Sequence, residues 1–451
     1  MSINRLFLIG KSSLMSNQRA LNITSKNISN VNTDGYTRQR VDINEITNEV
    51  VGMGRLGSGI SADVVRVEQR LVQYQLWREK TAYARFESDE RILQQIESVF
   101  AEGTDTGIAD VLGEFWGAWN DLANDPESSA ARTIVRDKGN LLATTFNRTH
   151  TNLTSMQEQL NDDIVATVDR INREVAKIAQ LNQQIIQNDN ADLLDERERL
   201  INNLSEKLNI EVRHKDDNTV TVSTDGLILV SGTETNRLTT EVSRDDGIYT
   251  TAVRFADFPQ QPGFSGGELA SLLETQNERI PRYFDRLNAL ARSVAEQVNG
   301  VHRTGENLDG VGGLNFFDEP LRGAADFKVS KAIDATPSLI ATRSPGSGVG
   351  GNDIAGAIFN LQFDEILNGE TANDFYTGMV TELGSTLDEA AFLEDSQGQI
   401  VQQLENQRDS ISGVSLDEEM TRLIQFEQAY QAASKVINTV DEMMETLLSI
   451  V

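Results

Sequence analysis

The chain has no cysteine, and its 451 residues include only three histidines and seven prolines. The absence of cysteine excludes disulfide bonds, thiolate metal sites and cysteine nucleophiles. His150, His214 and His302 lie far apart in the sequence, and none of them begins the HExxH motif of a zinc protease. We therefore predict no catalytic residue, no metal site and no cofactor.

The chain also has fewer basic than acidic residues, 40 against 69, and its formal net charge is therefore −29. A chain this acidic repels nucleic-acid phosphate and anionic membrane surfaces, so we expect neither nucleic acid nor a membrane among its partners. No apolar run approaches the roughly 20 residues of a membrane span. The run Leu6–Ile9 is too short for the apolar core of a secretory signal. These features predict a cytoplasmic protein unless export relies on another signal.

Hydrophobic periodicity predicts a mainly α protein with a β insert (α+β), elongated and divided into several domains. Apolar residues that step by three or four predict helices at about 1–33, 69–100, 107–123, 127–188, 192–208, 267–299, 353–367, 372–412 and 415–450. The segment 127–188 is either one helix or two placed end to end. Alternating apolar residues predict an extended or hairpin-like segment at 36–68, around the glycine-rich piece Gly52–Gly59, and an antiparallel β unit at about 209–258.

The pattern predicts four domains. They are a terminal helical core for assembly (1–65 with 413–451), a helical bundle (66–208 with 263–300 and 353–412), a small β domain (209–262) and an irregular or β connector (301–352).

Both ends of the chain carry heptad repeats, which are typical of helices that bury one stripe against another helix. In the first helix one column is apolar and the next is weak and partly polar: Phe7, Leu14, Leu21 and Ile28, then Gly10, Asn17, Thr24 and Val31. The last helix has two columns: Leu416, Leu423, Tyr430, Ile437 and Met444, then Phe426, Ala433, Val440 and Leu447.

The two ends carry opposite charge. Residues 1–40 contain six basic residues and one acidic residue, whereas residues 401–451 contain three basic and nine acidic residues. Unlike charge favours pairing of the two helices, with the remaining apolar residues buried against neighbouring subunits. The alternative is that each helix packs on its own domain, and periodicity leaves that alternative open.

Short motifs at both ends are similar to the signatures of flagellar rod, hook and hook-associated proteins. The motifs occupy Ala20–Arg38, Gly413–Met420 and Phe426–Ala432, and their most recognisable residues are Asn27, Asn30, Gly35, Tyr36, Arg38, Asp417, Glu418 and Glu419. Three internal stretches, 192–197, 266–273 and 298–302, resemble the hook-associated members of the FlgK type.

This resemblance implies a structural, non-enzymatic subunit at the junction between flagellar hook and filament. Its implied partners are the hook protein, the third hook-associated protein, a ring of like subunits, and an export chaperone at the C-terminal segment. It also implies an extracellular location, reached through flagellar export without a cleaved signal peptide. One departure is the short join between Phe317 and Phe327, where larger outer β domains often lie in this family.

Other readings of the sequence are weaker. Gly346–Gly351 fits GxGxxG but follows Pro345 and has no βαβ context, so we interpret it as a loop before a helix. The acid pairs at 162–163, 216–217 and 245–246 are expected to be solvated. Phe115, Trp116 and Trp119 are interpreted as core residues. A second hypothesis is a secreted enzyme or adhesin, with residues 209–352 displayed on a flagellin-like bundle.

Overall fold

The computed structural model describes residues 3–33, 35–47, 58–100, 107–188, 190–245 and 248–450. Within these ranges the chain is mainly helical with small antiparallel sheets, which confirms the predicted class. Asp34, residues 52–57 of the glycine-rich piece, and Asp246 lie outside the described residues. No helix in the described ranges is both long and apolar enough to cross a membrane.

Most helix boundaries lie within a few residues of those predicted. The helices are α1 (Ile3–Ser29), α2 (Arg70–Phe100), α3 (Ile108–Asn124), α4 (Ser129–Gln187), α5 (Ala191–Lys207), α6 (Gly267–Glu274), α7 (Ile280–His302), α8 (Lys331–Ala335), α9 (Asp353–Asn360), α10 (Ala372–Ser412) and α11 (Leu416–Ile450). The segment 127–188 therefore forms one helix, α4. The predicted helix at 353–367 is shorter, because α9 passes into a 3₁₀ turn at Leu361–Phe363.

The predicted helix at 267–299 contains a π-helical turn, Thr275–Arg279, between α6 and α7. Pro281 has no N–H to donate to the carbonyl four residues earlier, so an unbroken α-helix would lack a bond here. Asn277 in this turn pairs with the backbone of Thr251, donating to its oxygen at 2.9 Å and accepting from its nitrogen at 2.8 Å.

In the described ranges the strands form three antiparallel sheets. They are β1 (Gln39–Thr47) with β2 (Ser58–Arg66), then β3 (Glu211–His214), β4 (Val220–Thr224), β5 (Leu227–Ser231) and β6 (Glu234–Thr235) in one sheet, and β7 (Leu238–Asp245) with β8 (Ile248–Phe255). The hairpin expected in 36–68 is thus confirmed. The expectation of one β unit at 209–258 is wrong, because its strands divide between two sheets that share no strand. Alternation along a strand does not reveal which strands pair.

The chain divides into two compact units. Unit 1 comprises residues 1–82, 171–237 and 397–451, and unit 2 comprises residues 83–170 and 238–396. The strands of the expected β unit fall on both sides of this division, at Arg237 and Leu238.

In unit 1, α1 packs against α11, and β1 and β2 lie beside α1. We call α1 and α11 the terminal helix pair. The two helices run in opposite directions, because Gly10 lies beside Ile437 whereas Asn27 contacts Glu419. The sheet β3–β6 is held to α4 by Asn182, whose side-chain amide donates to the carbonyls of Val220 and Gly232.

Unit 2 has an aromatic core. Phe115, Trp119, Phe316 and Phe317 are fully buried, and their neighbouring rings lie about 5 to 6 Å apart, as Phe115–Phe316 (5.7 Å) and Trp119–Phe316 (5.3 Å) show. Gly139, the single glycine in α4, leaves room for the Phe316 ring, because a Cβ there would lie 2.9 Å from two ring carbons. The interpretation of Phe115, Trp116 and Trp119 as core residues is confirmed.

The segment 301–352 is irregular but contributes to this core. Asn299 accepts from the backbone nitrogens of Phe316 and Phe317 at 2.9 and 2.8 Å. His302 accepts from the Ala341 nitrogen through Nε2 at 2.9 Å, so its protonated Nδ1 donates to the Leu314 carbonyl at 2.7 Å. Burial lowers the pKa of His302 to about 4, which keeps the ring neutral.

Candidate assembly site at the paired chain ends

The seam of the terminal helix pair is built from small and polar residues. Gly10, Asn17, Ala20 and Thr24 are buried on α1, whereas the apolar column Phe7, Leu14, Leu21 and Ile28 is half-buried or exposed. The column that looked weaker in the sequence is therefore the one that faces inward. Small side chains let two helix backbones approach closely, which large side chains on the same face would prevent.

Gly10 is the clearest case of this close approach. A Cβ built on Gly10 would lie 3.0 Å from Cγ1 of Ile437 on α11, which is tighter than ordinary van der Waals contact. On α11 the buried apolar residues of the seam are Ala433 and Val440, seven positions apart. The heptad of α11 thus contributes apolar side chains to the contact, and the small residues of α1 leave room for them.

Asn27 lies at the other end of α1 and is 1% exposed. Its Nδ2 donates to the Gln39 carbonyl at 2.8 Å and to Oε2 of Glu419 at 2.9 Å. Its Oδ1 accepts from the Tyr36 hydroxyl at 2.8 Å and from the Gln39 nitrogen at 3.1 Å. Both donors and both acceptor sites of this amide are occupied. One side chain of the first helix therefore joins the first hairpin to the last helix.

Arg38 completes this arrangement. Its Nη2 lies 3.0 Å from Glu418, and its Nε lies 3.2 Å from Oε1 of Glu419 without the alignment of a hydrogen bond. Glu419 is 1% exposed, so its charge is balanced by Arg38 and by the Asn27 amide rather than by solvent. The Arg38 nitrogen also donates to the Ser412 carbonyl at 2.9 Å, just before α11. We call Asn27, Tyr36, Arg38, Gln39 and Glu419 the Asn27 network.

Acidic residues of α5 hold the same segment from another side. Asp192 accepts from the Lys26 ammonium at 2.5 Å, and Asp195 accepts from the Thr37 nitrogen at 3.3 Å. Arg66 of β2 lies 2.8 Å from Asp195 and 2.5 Å from Glu198. The internal motif at 192–197 therefore supports the first helix and hairpin.

The electrostatics of this region are those of a buried polar core. Burial raises the pKa of Asp195, and the nearby Arg66 guanidinium opposes that rise. Burial also raises the pKa of Tyr36, with further contributions from Asp195, Asp192 and Glu419, so the phenol keeps its proton. The protonated hydroxyl is the form that can donate to Asn27.

The residues predicted for the assembly interface occupy a range of environments. Val440 is buried. Leu14, Leu21, Ile28, Val31, Leu423, Phe426, Tyr430 and Ile437 are half-buried, and the exposed ones are Phe7 (39%), Leu416 (47%), Met444 (41%) and Leu447 (49%). Other exposed apolar side chains on the same two helices are Leu8, Met15, Met420, Ile424, Val436, Met443 and Leu448. The terminal helix pair therefore leaves an apolar surface uncovered.

The structure brings together some of the predicted signature residues and separates others. Asn27, Tyr36, Arg38, Glu418 and Glu419 form one contiguous cluster. Asn30 instead bonds within the end of α1, donating to the Lys26 carbonyl at 2.9 Å. Gly35 adopts a φ of +76°, which favours glycine, and exposed Asp417 lies in the first turn of α11. These last three shape the turns around the cluster.

Among the contributors that sequence reasoning missed are Lys26, Thr37, Gln39, Arg66 and Glu198. Gln39 meets Asn27 through its backbone, which no side-chain pattern reveals. Asp192 and Asp195 could have been found, because they belong to the motif at 192–197, but nothing in their spacing indicated contact with residues 26 and 37.

A polar groove runs beside the cluster in unit 1. It is lined by residues 30–33 and 35–38, by residues 408–410 and 412–415, and by Gln73, Glu198, Asn202 and Glu418. Across the described ranges, no group of histidine and acidic side chains could hold a metal ion.

Three family models match this chain. The one described as "Flagellar hook-associated protein FlgK helical domain" matches residues 93–317. "Flagellar basal body rod FlgEFG protein C-terminal" matches residues 405–450, and "Flagella basal body rod protein" matches residues 7–37. The last two matches cover most of the two terminal helices.

Curated relatives match along nearly the whole length. Flagellar hook-associated protein 1 of Bacillus subtilis (strain 168) is 29% identical over 489 residues, covering 97% of this chain and 96% of the relative. Flagellar hook-associated protein 1 of Escherichia coli (strain K12) is 25% identical, covering 97% of this chain and 98% of the relative.

A solved structure has the same fold. The flagellar hook junction protein FlgK from Burkholderia pseudomallei aligns with a TM-score of 0.68 at 16% identity, covering 75% of this chain and 100% of that chain.

Proposed function

This chain belongs to the flagellar hook-associated proteins of the FlgK type, and we propose that it is a structural subunit that forms the hook–filament junction by self-assembly. The terminal helix pair is the assembling part in this proposal. Both terminal helices match flagellar rod families, which supports a role that axial flagellar proteins share. Unit 2 then provides the body that distinguishes this type of subunit.

The observation that carries the proposal is the uncovered apolar surface of the terminal helix pair. α1 exposes Phe7, Leu8 and Met15, and α11 exposes a longer series ending at Leu448, which is 75% exposed. Contiguous exposed apolar side chains are typical of surfaces that bind another protein. Neighbouring subunits would bury them and gain roughly 25 cal/mol for each Å² removed from water.

Charge on the same helices favours contact between different copies. Lys11 and Arg19 are exposed on α1, whereas α11 exposes six acids, Asp417, Glu418, Glu427, Asp441, Glu442 and Glu445. An α1 face of one copy and an α11 face of the next would bring unlike charges together. Such a contact uses different surfaces on the two copies, so repetition produces a ring or a helical array.

Further partners follow from the family and remain part of the proposal. They are the hook protein on one side, the third hook-associated protein on the other, and an export chaperone at the C-terminal segment. Export without a cleaved signal and a final extracellular position also belong to it. We propose no catalytic activity and no cofactor, because the polar residues of the candidate site are engaged in contacts within the chain.

The enzyme or adhesin hypothesis finds no support, since every match reported above is a flagellar protein. Within residues 209–352, the chemically distinctive side chains Asn299 and His302 bind backbone groups of their own unit. Their role there is packing of the core.

The decisive experiment replaces exposed apolar residues of α11. Met444→Asp with Leu447→Asp should leave the monomer's helicity and urea unfolding unchanged, because both side chains are exposed. In a motile bacterium lacking its own copy, this variant should be exported but should fail to attach filaments, since it places charges in a buried contact.

The matched control is Phe392→Asp on α10, where an apolar side chain of unit 2 is 71% exposed. It should restore filaments and swimming. Normal filament attachment by the α11 variant, or equal failure of the control, would refute the proposed surface.

A further inference from the structure

We propose that Asn27 and Glu419 select the register in which the terminal helix pair forms, and that they exclude a pairing shifted by one heptad. The inference rests on the proposed function, because subunits can repeat regularly only if every copy presents the same paired surface. It concerns contacts within one chain and can be measured on a monomer.

The heptad of α11 alone does not define a register. Its columns repeat every seven residues from Leu416 to Met444, and the buried α1 residues Gly10, Asn17 and Thr24 also repeat every seven. A shift of seven therefore places small α1 residues opposite equivalent α11 residues. Met444 is exposed in the observed pairing, and a shift of seven would place this apolar side chain beside Gly10 in place of Ile437.

The observed register is marked at two points. Gly10 lies beside Ile437 near one end, and Asn27 bonds to Glu419 near the other. From Gly10 to Asn27 is 17 residues along α1, and from Glu419 to Ile437 is 18 along α11, so both contacts belong to one antiparallel register. The glycine contact requires only a small residue. The Asn27–Glu419 contact requires a particular amide opposite a particular carboxylate.

A shifted pair would lose the second contact without replacing it. Seven residues beyond Glu419 on α11 is Phe426, whose ring offers no acceptor for the second Nδ2 hydrogen of Asn27. Glu419 would move away from Arg38, which is fixed by its backbone bond to Ser412. A buried carboxylate without partners is strongly disfavoured, so the shifted register is penalised although its apolar contacts are adequate.

Asn17 provides a built-in comparison. It is also buried on α1, at 8% exposure, but in the part of the chain that the structure describes its amide nitrogen donates within its own helix, to the carbonyl and hydroxyl of Ser13. A polar residue that bonds inside its own helix moves with that helix and is indifferent to register. A polar residue that bonds across the interface, as Asn27 does, distinguishes one register from the others.

The test uses cysteine pairs, since the chain has no cysteine of its own. Gly10→Cys with Ile437→Cys reports the observed register, because a Cβ on Gly10 lies 3.0 Å from Cγ1 of residue 437, within reach of a disulfide. Gly10→Cys with Met444→Cys reports the shifted register. Both pairs are placed in the full-length chain, and disulfide formation is followed in dilute monomer under mild oxidation.

With the Asn27 network intact, the 10–437 pair should form disulfide at least about tenfold faster than the 10–444 pair, since about 1.4 kcal/mol corresponds to a factor of ten. Adding Asn27→Leu with Glu419→Leu should reduce that preference to about twofold or less. Adding Asn17→Leu instead should preserve it.

The inference is overturned if the double leucine variant keeps the tenfold preference, or if Asn17→Leu abolishes it equally. If the double leucine variant loses helicity, Asn27→Asp decides in its place. That change places a second carboxylate beside Glu419. It should also reduce the preference for the 10–437 disulfide over the 10–444 disulfide to about twofold or less. Because the readout needs no assembly, failure here would leave the filament-attachment result for Met444 and Leu447 intact.

Discussion

The core of unit 2 and the seam of the terminal helix pair are built on opposite principles. Unit 2 buries large rings, with Phe317 at 0% exposure between Phe115, Phe316 and Phe327. The terminal helix pair buries glycine and asparagine on α1 and leaves Phe7 at 39% exposure. The core of unit 2 covers its own aromatic residues and needs no partner to bury them. The terminal helix pair leaves an aromatic residue exposed, as one half of the larger interface that we propose would.

The largest contrast should come from removing one ring in each region. Phe317→Ala should lower the free energy of unfolding by about 4 kcal/mol, because it empties a fully buried site. Phe7→Ala should change it by less than about 0.5 kcal/mol in the monomer. Urea unfolding of unit 2 and of the terminal helices, followed by aromatic fluorescence and helicity, measures both. Similar losses of unfolding free energy in the two variants would contradict the proposed difference between the core of unit 2 and the terminal helix pair.

The next effect concerns the polar part of the seam. Asn27→Ala should destabilise the terminal helix pair by about 3 kcal/mol, since Gln39, Tyr36 and Glu419 all lose a buried hydrogen-bond partner. Asn17→Ala should cost about 1 kcal/mol or less, because its bonds lie within one helix. Amide exchange of α1 and α11 gives the two values. Equal losses would mean that the cross-helix bonds add no stability.

The smallest effect depends on pH and belongs to unit 2. The pKa of His302 is lowered to about 4, below its ordinary value of about 6.5 in an unfolded chain. Between these values the unfolded state binds more protons, so stability falls as pH falls. From pH 6.5 to pH 5 the loss from this residue should be about 1.5 kcal/mol, and above pH 6.5 it should be less than about 0.5 kcal/mol.

The control for His302 is His302→Gln, which does not titrate in this range. The difference in unfolding free energy between the wild-type chain and this variant should shrink by the same amount from pH 6.5 to pH 5. A difference that stays constant over this interval would show that the ring is not held neutral by its burial.

Much of the fold could be read from local pattern. The boundaries of α10 and α11 follow from apolar steps of three or four, and the β1–β2 hairpin follows from alternation. The π-helical turn before α7 could not be placed, although Pro281 is visible in the sequence, because its geometry also depends on the partner Thr251. The division of β3–β8 between two sheets depends on long-range pairing that alternation does not encode.

For the candidate site, the motifs named residues but not their roles. Asn27 and Glu419 were singled out by resemblance alone, 392 positions apart, and the structure shows them bonded at 2.9 Å. Heptads and charge favour pairing of the two helices, but local patterns do not show which residue of α11 lies opposite Asn27. The assignment of the larger interface residues, from Phe7 to Leu447, stays a prediction until the filament-attachment variants are measured.

The sequence by itself determined that both ends of this chain are helices with a stripe to bury, because helical geometry brings every third or fourth residue to one face. Only the tertiary structure decided which stripe faces inward. The strongest apolar column would separate the helices, whereas Gly10 and its small neighbours let them approach, so the small column is buried and the large one is left partly exposed. Close packing of two helix backbones depends on the side chains of both helices, so the pattern of one helix does not predict it.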